Sequence, residues 1–310
     1  MLAFLSLALV SLAWLVRPAE AVSSSGSGYL YKNVFLLAGQ SNMAGRGGVV
    51  DDIWDGVVPP QCRPNSSVLR FSARLEWVEA QEPLHGDIDV KKTCGVGPGM
   101  AFASAVLGRD SRFGAVGLVP CAVGGTNISQ WGRGKHLYKE MVRRAKASVE
   151  GGGAIWAVLW FQGESDTVKR EDAESYKGKM EKLIADIRTD LESPTLPVLQ
   201  VALASGQGPF IGIVRAAQLG IALPNVTSVD AEGLPLEPDG LHLTTPAQVR
   251  LGQMMANAFL ETMPGPINPS SPINPSSPIS SNAPRRLSSL VSDIFIGPLS
   301  RFLLAIGPKS

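Results

Sequence analysis

Short apolar runs alternate with longer amphipathic segments between Tyr31 and Met263. Short runs rich in β-branched and aromatic residues are typical of strands, whereas apolar residues three and four apart are typical of helices. The short runs predict strands at Val34–Ala38, Val116–Val119, Ile155–Phe161, Val198–Leu203 and Val226–Val229. The amphipathic segments predict helices at Gly99–Arg109, Leu137–Val149, Ala173–Asp190, Phe210–Ala222 and Pro246–Glu261. This alternation predicts an α/β domain over residues 31–263, with a parallel sheet and right-handed crossovers.

Residues 46–97 interrupt the alternation. They are rich in glycine, proline and charge, and they show no sustained period of either kind. We predict a long irregular loop over one end of the sheet. Loops of this length often shape a binding site.

The N-terminus has the pattern of a signal peptide. Met1–Val16 is almost wholly apolar, and Ala19-Glu20-Ala21 follows with the small residues of a cleavage site. We therefore predict a signal peptide over residues 1–21 and a secreted protein without stable membrane insertion. The alternative is an anchoring helix, for which an apolar run of about 15 residues is short, since a span takes about 20. Three N-glycosylation sequons are compatible with secretion, at Asn65, Asn127 and Asn225.

The composition changes abruptly after Met263. Residues 264–286 are rich in proline and serine, with Ile-Asn-Pro-Ser-Ser-Pro repeated from Ile267 and from Ile273, which predicts a linker. Residues 287–310 form an apolar tail to which no role is assigned. A lipid-anchor signal is the alternative for this tail, but Asp293 and Arg301 interrupt it.

Composition excludes several classes of protein. With 310 residues, of which 45% are hydrophobic and 18% charged, the chain can bury a full core. The net charge of +1 and the absence of a basic stripe argue against a nucleic-acid partner.

The cysteines and histidines do not predict a metal site. The chain has no C-x-x-C pair, and its three histidines are far apart in sequence, so neither a metal nor another cofactor is expected. Cys62 and Cys94 lie in the loop-rich region and are the candidates for one disulfide. Cys121 follows an apolar run, which favours a buried thiol.

Ser41 is the first candidate for chemistry. It follows the strand Val34–Ala38 in the turn Gly39-Gln-Ser-Asn-Met43, and ligands of parallel sheets bind beyond the carboxyl ends of strands. Met43 stands where the G-x-S-x-G elbow has its second glycine, so the turn is of another kind. The alternative is that Ser41 only caps the next helix.

His242 is the candidate base. In Asp239-Gly-Leu-His242, a turn that Gly240 helps to form can present both side chains to the same side. Histidine can take the proton of a serine hydroxyl near neutral pH, and a carboxylate can hold the imidazole in the required tautomer. The alternative is a structural turn histidine that is hydrogen-bonded to a nearby aspartate.

Two further turns supply candidate oxyanion donors. Gly124-Gly-Thr126 and Gln162-Gly-Glu164 each follow a predicted strand. An acyl-transfer site needs donors aimed at the oxyanion of the tetrahedral intermediate. The backbone N–H groups of Ser41 and Gly125 and the side chain of Gln162 would supply them. Taken singly, each turn is equally compatible with an ordinary strand-to-helix connection.

Together, in this order, the four motifs resemble those of the SGNH hydrolase superfamily, and specifically its plant sialate-O-acetylesterase-like (SASA) carbohydrate esterases. The resemblance implies a three-layer α/β/α sandwich with a mainly parallel, flavodoxin-like sheet. It implies a triad of Ser41, Asp239 and His242, with oxyanion donors at Ser41, Gly125 and Gln162. The wider superfamily has an asparagine at the position that Gln162 occupies in this motif. The resemblance also implies an acetylated substrate such as plant cell-wall xylan, and hence a place in the cell wall or apoplast.

Other polar residues of the motifs are candidates for support or for substrate contact, namely Asn42, Thr126 and Glu164. For Glu164 we favour support of the loop over a sugar contact or tuning of His242. Trp131 and Arg133 lie just beyond the second glycine motif, where an aromatic face and a cation could meet a sugar, although packing or surface roles explain them equally well.

The interpretation that follows is a serine esterase that removes O-acetyl groups from carbohydrate. A carbohydrate-binding protein without turnover and an esterase of lipids or other small esters are the alternatives.

Overall fold

The structure, a computed structural model, describes residues 32–263. The predicted signal peptide, linker and C-terminal tail lie outside the described residues. The strands are β1 (Asn33–Gly39), β2 (Val49–Val50), β3 (Ile53–Trp54), β4 (Val68–Phe71), β5 (Trp77–Glu79), β6 (Val116–Pro120), β7 (Ala154–Phe161), β8 (Val198–Ala202) and β9 (Val226–Asp230). The helices are α1 (Ser41–Ala44), α2 (Gly99–Arg109), α3 (His136–Val149), α4 (Arg170–Asp190), α5 (Ile211–Leu219) and α6 (Thr245–Glu261). Short 3₁₀ helices lie at Pro60–Cys62, Ile128–Trp131 and Glu164–Thr167.

Seven strands form the main sheet, in the order β5-β4-β6-β1-β7-β8-β9. All neighbours in it are parallel except β4 and β5. The five strands that the sequence predicts run β6-β1-β7-β8-β9, which is the flavodoxin-like order 2-1-3-4-5. The predicted α/β fold is confirmed. Since the order reverses beside β1, the turns after β1 and β7 meet at the point where such sheets bind ligands.

Aromatic packing anchors the central strands on both faces of the sheet. Phe35 of β1 contacts Phe102 of α2 and Phe259 of α6, with ring centroids 4.9 and 5.0 Å apart. Elsewhere in the core, Trp160 of β7 packs against Trp131 at 5.2 Å. Side chains buried in this way are densely packed and hold the backbone still, so the carboxyl ends of β1 and β7 are rigid supports.

The prediction for residues 46–97 is wrong in part. This region contains the β2–β3 hairpin as well as β4 and β5, which extend the main sheet beyond β6. The strands are only two to four residues long, so no period can be recognised in the sequence. Pairing with β6 and burial of Val68 and Phe71 stabilise β4, which in turn pairs with β5.

All three cysteines are buried free thiols, so the pairing of Cys62 with Cys94 is wrong in this structure. The Cys94 sulfur instead accepts a hydrogen bond from Arg46 Nη1 at 3.4 Å. Burial raises the pKa of Cys62 to about 12 and that of Cys94 to about 11. Cys121 is buried as predicted, and burial likewise raises its pKa to about 11.

Across residues 32–263, no helix combines the length and the apolar character needed to cross a bilayer. The same residues contain no cluster of three or more histidine, cysteine or acidic side chains suited to a metal ion.

Candidate active site

A tight turn at the end of β1 places Ser41. Gly39 has φ +130°, and a Cβ there would lie 2.1 Å from the carbonyl oxygen of Phe161 on β7. The N–H of Gln40 donates to that same oxygen at 2.9 Å. The chain then turns into α1, whose N-cap is Gln40 and whose first residue is Ser41. Ser41 is therefore not the cap, and its hydroxyl is available for another partner.

That partner is His242. The Ser41 hydroxyl lies 2.9 Å from His242 Nε2, and His242 Nδ1 lies 2.6 Å from Asp239 Oδ2. With its proton on Nδ1, the imidazole donates to the carboxylate, and Nε2 can accept the serine proton. The structure thus brings together three residues that span about two hundred positions of the chain, and hydrogen bonds link them in the order nucleophile, base and acid.

The turn itself holds the Asp239 carboxylate. Asp239 Oδ1 accepts the backbone N–H groups of Leu241 at 2.8 Å and of His242 at 2.9 Å. Burial alone would raise the pKa of Asp239, but these hydrogen bonds and the one from the imidazole outweigh it and hold the pKa below its usual value. The carboxylate is therefore ionised near neutral pH, as a partner of an imidazolium should be.

The triad opens into a cavity of about 240 Å³. Ser41, Asp239 and His242 line it together with Gly124 and Gly125 of the turn after β6. The Ser41 residue is only 5% exposed, so an ester must enter the cavity to reach the hydroxyl.

The Gly124–Gly125 turn passes directly beside the nucleophile. A Cβ on Gly124 would lie 3.4 Å from the Ser41 Cβ and 2.7 Å from Arg46 Nη2. The Gly124 N–H donates to Asp89 Oδ2 at 3.1 Å, whereas the N–H groups of Ser41 and Gly125 have no acceptor among residues 32–263. Both orphan donors adjoin the cavity that holds the triad, where an oxyanion would form.

Gln162 is not placed as predicted. Its side chain is fully buried, and its amide nitrogen donates to Thr126 O at 2.8 Å and to Asp166 Oδ2 at 2.6 Å. Because an amide nitrogen has only two hydrogens, none remains for an oxyanion. Gln162 instead holds the segment that follows Gly125.

Asp166 is a residue that the sequence analysis missed. Its carboxylate accepts the N–H of Ile128 at 3.1 Å as well as the Gln162 amide, so it ties the second glycine turn to β7. Burial raises the pKa of Asp166 to about 6. The only sequence signal was its position two residues beyond Glu164.

Asn42 connects the nucleophile turn to the histidine turn. Its Nδ2 donates to the carbonyl oxygen of Leu241 at 3.3 Å, and its Oδ1 accepts the N–H of Leu243 at 2.9 Å. It therefore holds the residues on both sides of His242. Asn42 Nδ2 also donates to Glu164 Oε1 at 2.7 Å, and burial raises the pKa of Glu164 to about 7. Both side chains are fully buried, which assigns them to support rather than to sugar contact.

The remaining candidates are also structural. Thr126 donates its hydroxyl to Val123 O at 2.8 Å and accepts the indole N–H of Trp131 at 3.1 Å. Trp131 is fully buried, and Arg133 is ion-paired with Asp190. Burial closes Trp131 to a sugar, and the ion pair occupies the Arg133 guanidinium.

Arg46 and Asp89 form a buried ion pair that the sequence analysis also missed. Arg46 Nη1 donates to Gly45 O at 2.9 Å, and Asp89 accepts the Gly124 N–H. The pair therefore joins the nucleophile turn to the Gly124–Gly125 turn. Residues 46–97, although misjudged as irregular, thus contribute to the site.

Comparison with known proteins places the chain in a family. The model of the family described as "Carbohydrate esterase, sialic acid-specific acetylesterase" matches residues 31–261. The chain belongs to this family. It is therefore a carboxylic ester hydrolase by membership.

A protein named as a probable carbohydrate esterase of Arabidopsis thaliana is 58% identical over 252 residues, which cover 79% of this chain and 96% of the relative. A crystal structure of an Arabidopsis thaliana protein has a TM-score of 0.73 at 57% identity and covers 75% of this chain and 99% of its own. The crystal structure of NanS has a TM-score of 0.60 at 17% identity and covers 74% and 97%, which supports the fold.

Proposed function

We propose that this carbohydrate esterase removes O-acetyl groups from a carbohydrate through an acyl-enzyme on Ser41. The hydrogen-bonded chain from Ser41 Oγ through His242 to Asp239 is the observation that carries the proposal. The two orphan N–H groups beside it provide donors where negative charge would develop.

In the first step, Ser41 Oγ attacks the acetyl carbonyl carbon while His242 Nε2 takes the hydroxyl proton. The carbonyl oxygen becomes an oxyanion that accepts hydrogen bonds from the N–H groups of Ser41 and Gly125. The C–O bond to the sugar then breaks, and the imidazolium returns its proton to the leaving sugar oxygen. The products are a free sugar hydroxyl and an acetyl ester on Ser41.

In the second step, water replaces the sugar. His242 removes a proton from a water molecule, which attacks the acetyl carbonyl, and the same two N–H groups stabilise the second oxyanion. Collapse of this intermediate releases acetic acid and returns the proton to Ser41 Oγ. Throughout, the Asp239 carboxylate stabilises the imidazolium and keeps the ring oriented.

For the substrate, we propose a plant cell-wall polysaccharide such as acetylated xylan, with the protein secreted to the cell wall or apoplast. High identity to a plant protein named as a probable carbohydrate esterase supports the carbohydrate and the plant setting. The signal-peptide pattern of residues 1–21 supports secretion.

The decisive experiment is acetate release from acetylated xylan and from p-nitrophenyl acetate by the full chain and by Ser41→Ala. We expect the wild type to release acetate from both substrates. The rate of release should be at least about a thousandfold lower in Ser41→Ala. Ser175→Ala on α4 is the matched control and should keep wild-type activity. Undiminished turnover by Ser41→Ala would refute the mechanism, and release from the small ester alone would refute the xylan substrate.

Labelling by a fluorophosphonate distinguishes the esterase from a carbohydrate-binding protein without turnover. Such a probe reacts with an activated serine, so we expect stoichiometric labelling of the wild type and none of Ser41→Ala. A folded wild-type protein that resists the probe would favour the binding protein.

A further inference from the structure

A second and larger cavity lies next to the triad cavity. It has a volume of about 580 Å³ and meets the triad cavity at Gly124 and Gly125, which line both. Its other walls come from residues 88–91 and 135–137, the latter at the start of α3. We call it the α3 groove. Its volume lies within the range of roughly 300–1,000 Å³ that is usual for small-molecule sites.

The α3 groove has apolar walls and a cationic rim. Ile88, Val123 and Leu137 contribute apolar surface. Lys91 and Lys135 line it as exposed side chains without a hydrogen-bond or ion-pair partner in the part of the chain that the structure describes.

The positive charge of these two lysines is not neutralised by a carboxylate in the lining of the groove. The acidic residue in the lining of the groove is Asp89, which is buried and ion-paired with Arg46. The triad cavity instead has two exposed carboxylates, Asp51 and Asp52 of the β2–β3 turn, against one exposed lysine, Lys92. The two adjacent cavities therefore differ in the balance of their exposed charges, and an anionic group of the substrate would favour the α3 groove.

We propose that the α3 groove is a subsite for a uronic acid residue that neighbours the acetylated sugar in the substrate chain. This proposal rests on the proposed function, since the acetylated sugar occupies the triad cavity. A sugar linked to it can pass the Gly124–Gly125 turn and enter the groove. There its C–H face packs on the apolar walls, while its carboxylate pairs with Lys91 and Lys135.

A third cavity beyond the α3 groove favours an oligosaccharide over a monosaccharide as the ligand. This cavity of about 200 Å³ shares Ile88, Val123, His136 and Leu137 with the groove and leads along α3. A monosaccharide that carried both the acetyl group and the carboxylate would leave these cavities empty.

The test compares the full-length wild type with the double variant Lys91→Gln, Lys135→Gln. The substrates are acetylated xylo-oligosaccharides with a glucuronic acid branch beside the acetylated xylose, the same oligosaccharides without uronic acid, and p-nitrophenyl acetate. We expect the double variant to raise KM for the oligosaccharides with a glucuronic acid branch about fivefold without changing kcat, because two exposed ion pairs are lost. The two uncharged substrates should be unaffected. Lys177→Gln, an exposed lysine on α4, should match the wild type throughout.

Ionic strength gives a second readout. The wild-type KM for the oligosaccharides with a glucuronic acid branch should rise with salt, whereas that for the neutral substrates should not. The subsite would be refuted if KM in the double variant changed equally for charged and neutral substrates. It would also be refuted if KM did not change in the double variant at all. The proposal would also be wrong if replacing the lysines raised KM only for O-acetylated N-acetylneuraminic acid. That substrate carries its carboxylate on the acetylated sugar itself and not on a neighbouring sugar.

Binding separates this proposal from the proposed function. Calorimetric titration of Ser41→Ala with unacetylated trigalacturonate should show binding that weakens about fivefold when both lysines are replaced. If this binding is seen but the wild type has no esterase activity, the subsite is supported and the esterase mechanism is refuted. If the wild type is active but binding does not depend on the two lysines, the esterase mechanism is supported and the subsite is refuted.

Discussion

At the scale of single residues, Asp239 illustrates how the histidine turn prepares the base. One carboxylate oxygen accepts two backbone N–H groups, and the other accepts the imidazole N–H of His242. The side chain is nearly half exposed, so its orientation depends on these hydrogen bonds rather than on packing. The turn that supplies the acid thus also positions it.

We expect Asp239→Asn to lower kcat by roughly a thousandfold. An amide there would donate to Nδ1 and stabilise the tautomer that cannot accept the Ser41 proton. Steady-state hydrolysis of p-nitrophenyl acetate provides the measurement, and Asp110→Asn at the end of α2 is the control. A loss of less than tenfold would show that the imidazole is oriented without this carboxylate.

At the scale of elements, the end of β1 is the critical junction. Gly39 lies against β7 so closely that no side chain fits, and the next two residues begin the nucleophile turn. This close approach brings the turns after β1 and β7 together. Asn42 and Glu164 then bridge them.

Gly39→Ala should therefore destabilise the protein by about 3 kcal/mol or more, because the new methyl group would overlap the Phe161 carbonyl oxygen. Gly178→Ala is the matched control. Gly178 lies in α4, and no atom lies within 4 Å of the position that its new methyl group would take, so the change should be neutral or stabilise by up to about 1 kcal/mol. Urea unfolding of both variants measures the difference, and similar midpoints would contradict the role assigned to the junction.

At the scale of the whole molecule, buried carboxyl groups make stability depend on pH. Burial raises the pKa of Glu164 to about 7, of Asp166 to about 6 and of Glu82 to about 8. A carboxyl whose folded pKa exceeds its unfolded value favours the fold while protonated. That contribution is complete below the unfolded pKa and is lost as pH rises through the folded pKa, so stability should fall between about pH 5 and pH 8.

Glu164→Gln isolates one of these groups. The amide keeps an oxygen for the Asn42 hydrogen bond and cannot ionise, so the variant should gain on the order of 1–3 kcal/mol over the wild type near pH 8. Near pH 4 the gain should disappear. Thermal midpoints across pH provide the measurement, with Glu261→Gln as an exposed control. A gain that does not change with pH would show that Glu164 does not titrate in this range.

The sequence alone determined the five long strands, the five long helices and the triad candidates, because each depends on local information. Apolar runs predict strands, and a serine or histidine in a glycine-containing turn after a strand is recognisable by itself. These five strands and five helices begin and end within a few residues of the predicted bounds.

Tertiary structure alone decided the features that depend on partners distant in sequence. β4 and β5 are too short to be recognised without the edge of β6 that they extend. Gln162 has the right residue type for an oxyanion donor, but Thr126 and Asp166 take both of its amide hydrogens. The α3 groove likewise arises only where residues 88–91 meet the start of α3. Burial and hydrogen-bond partners are properties of the packed chain, and no local pattern contains them.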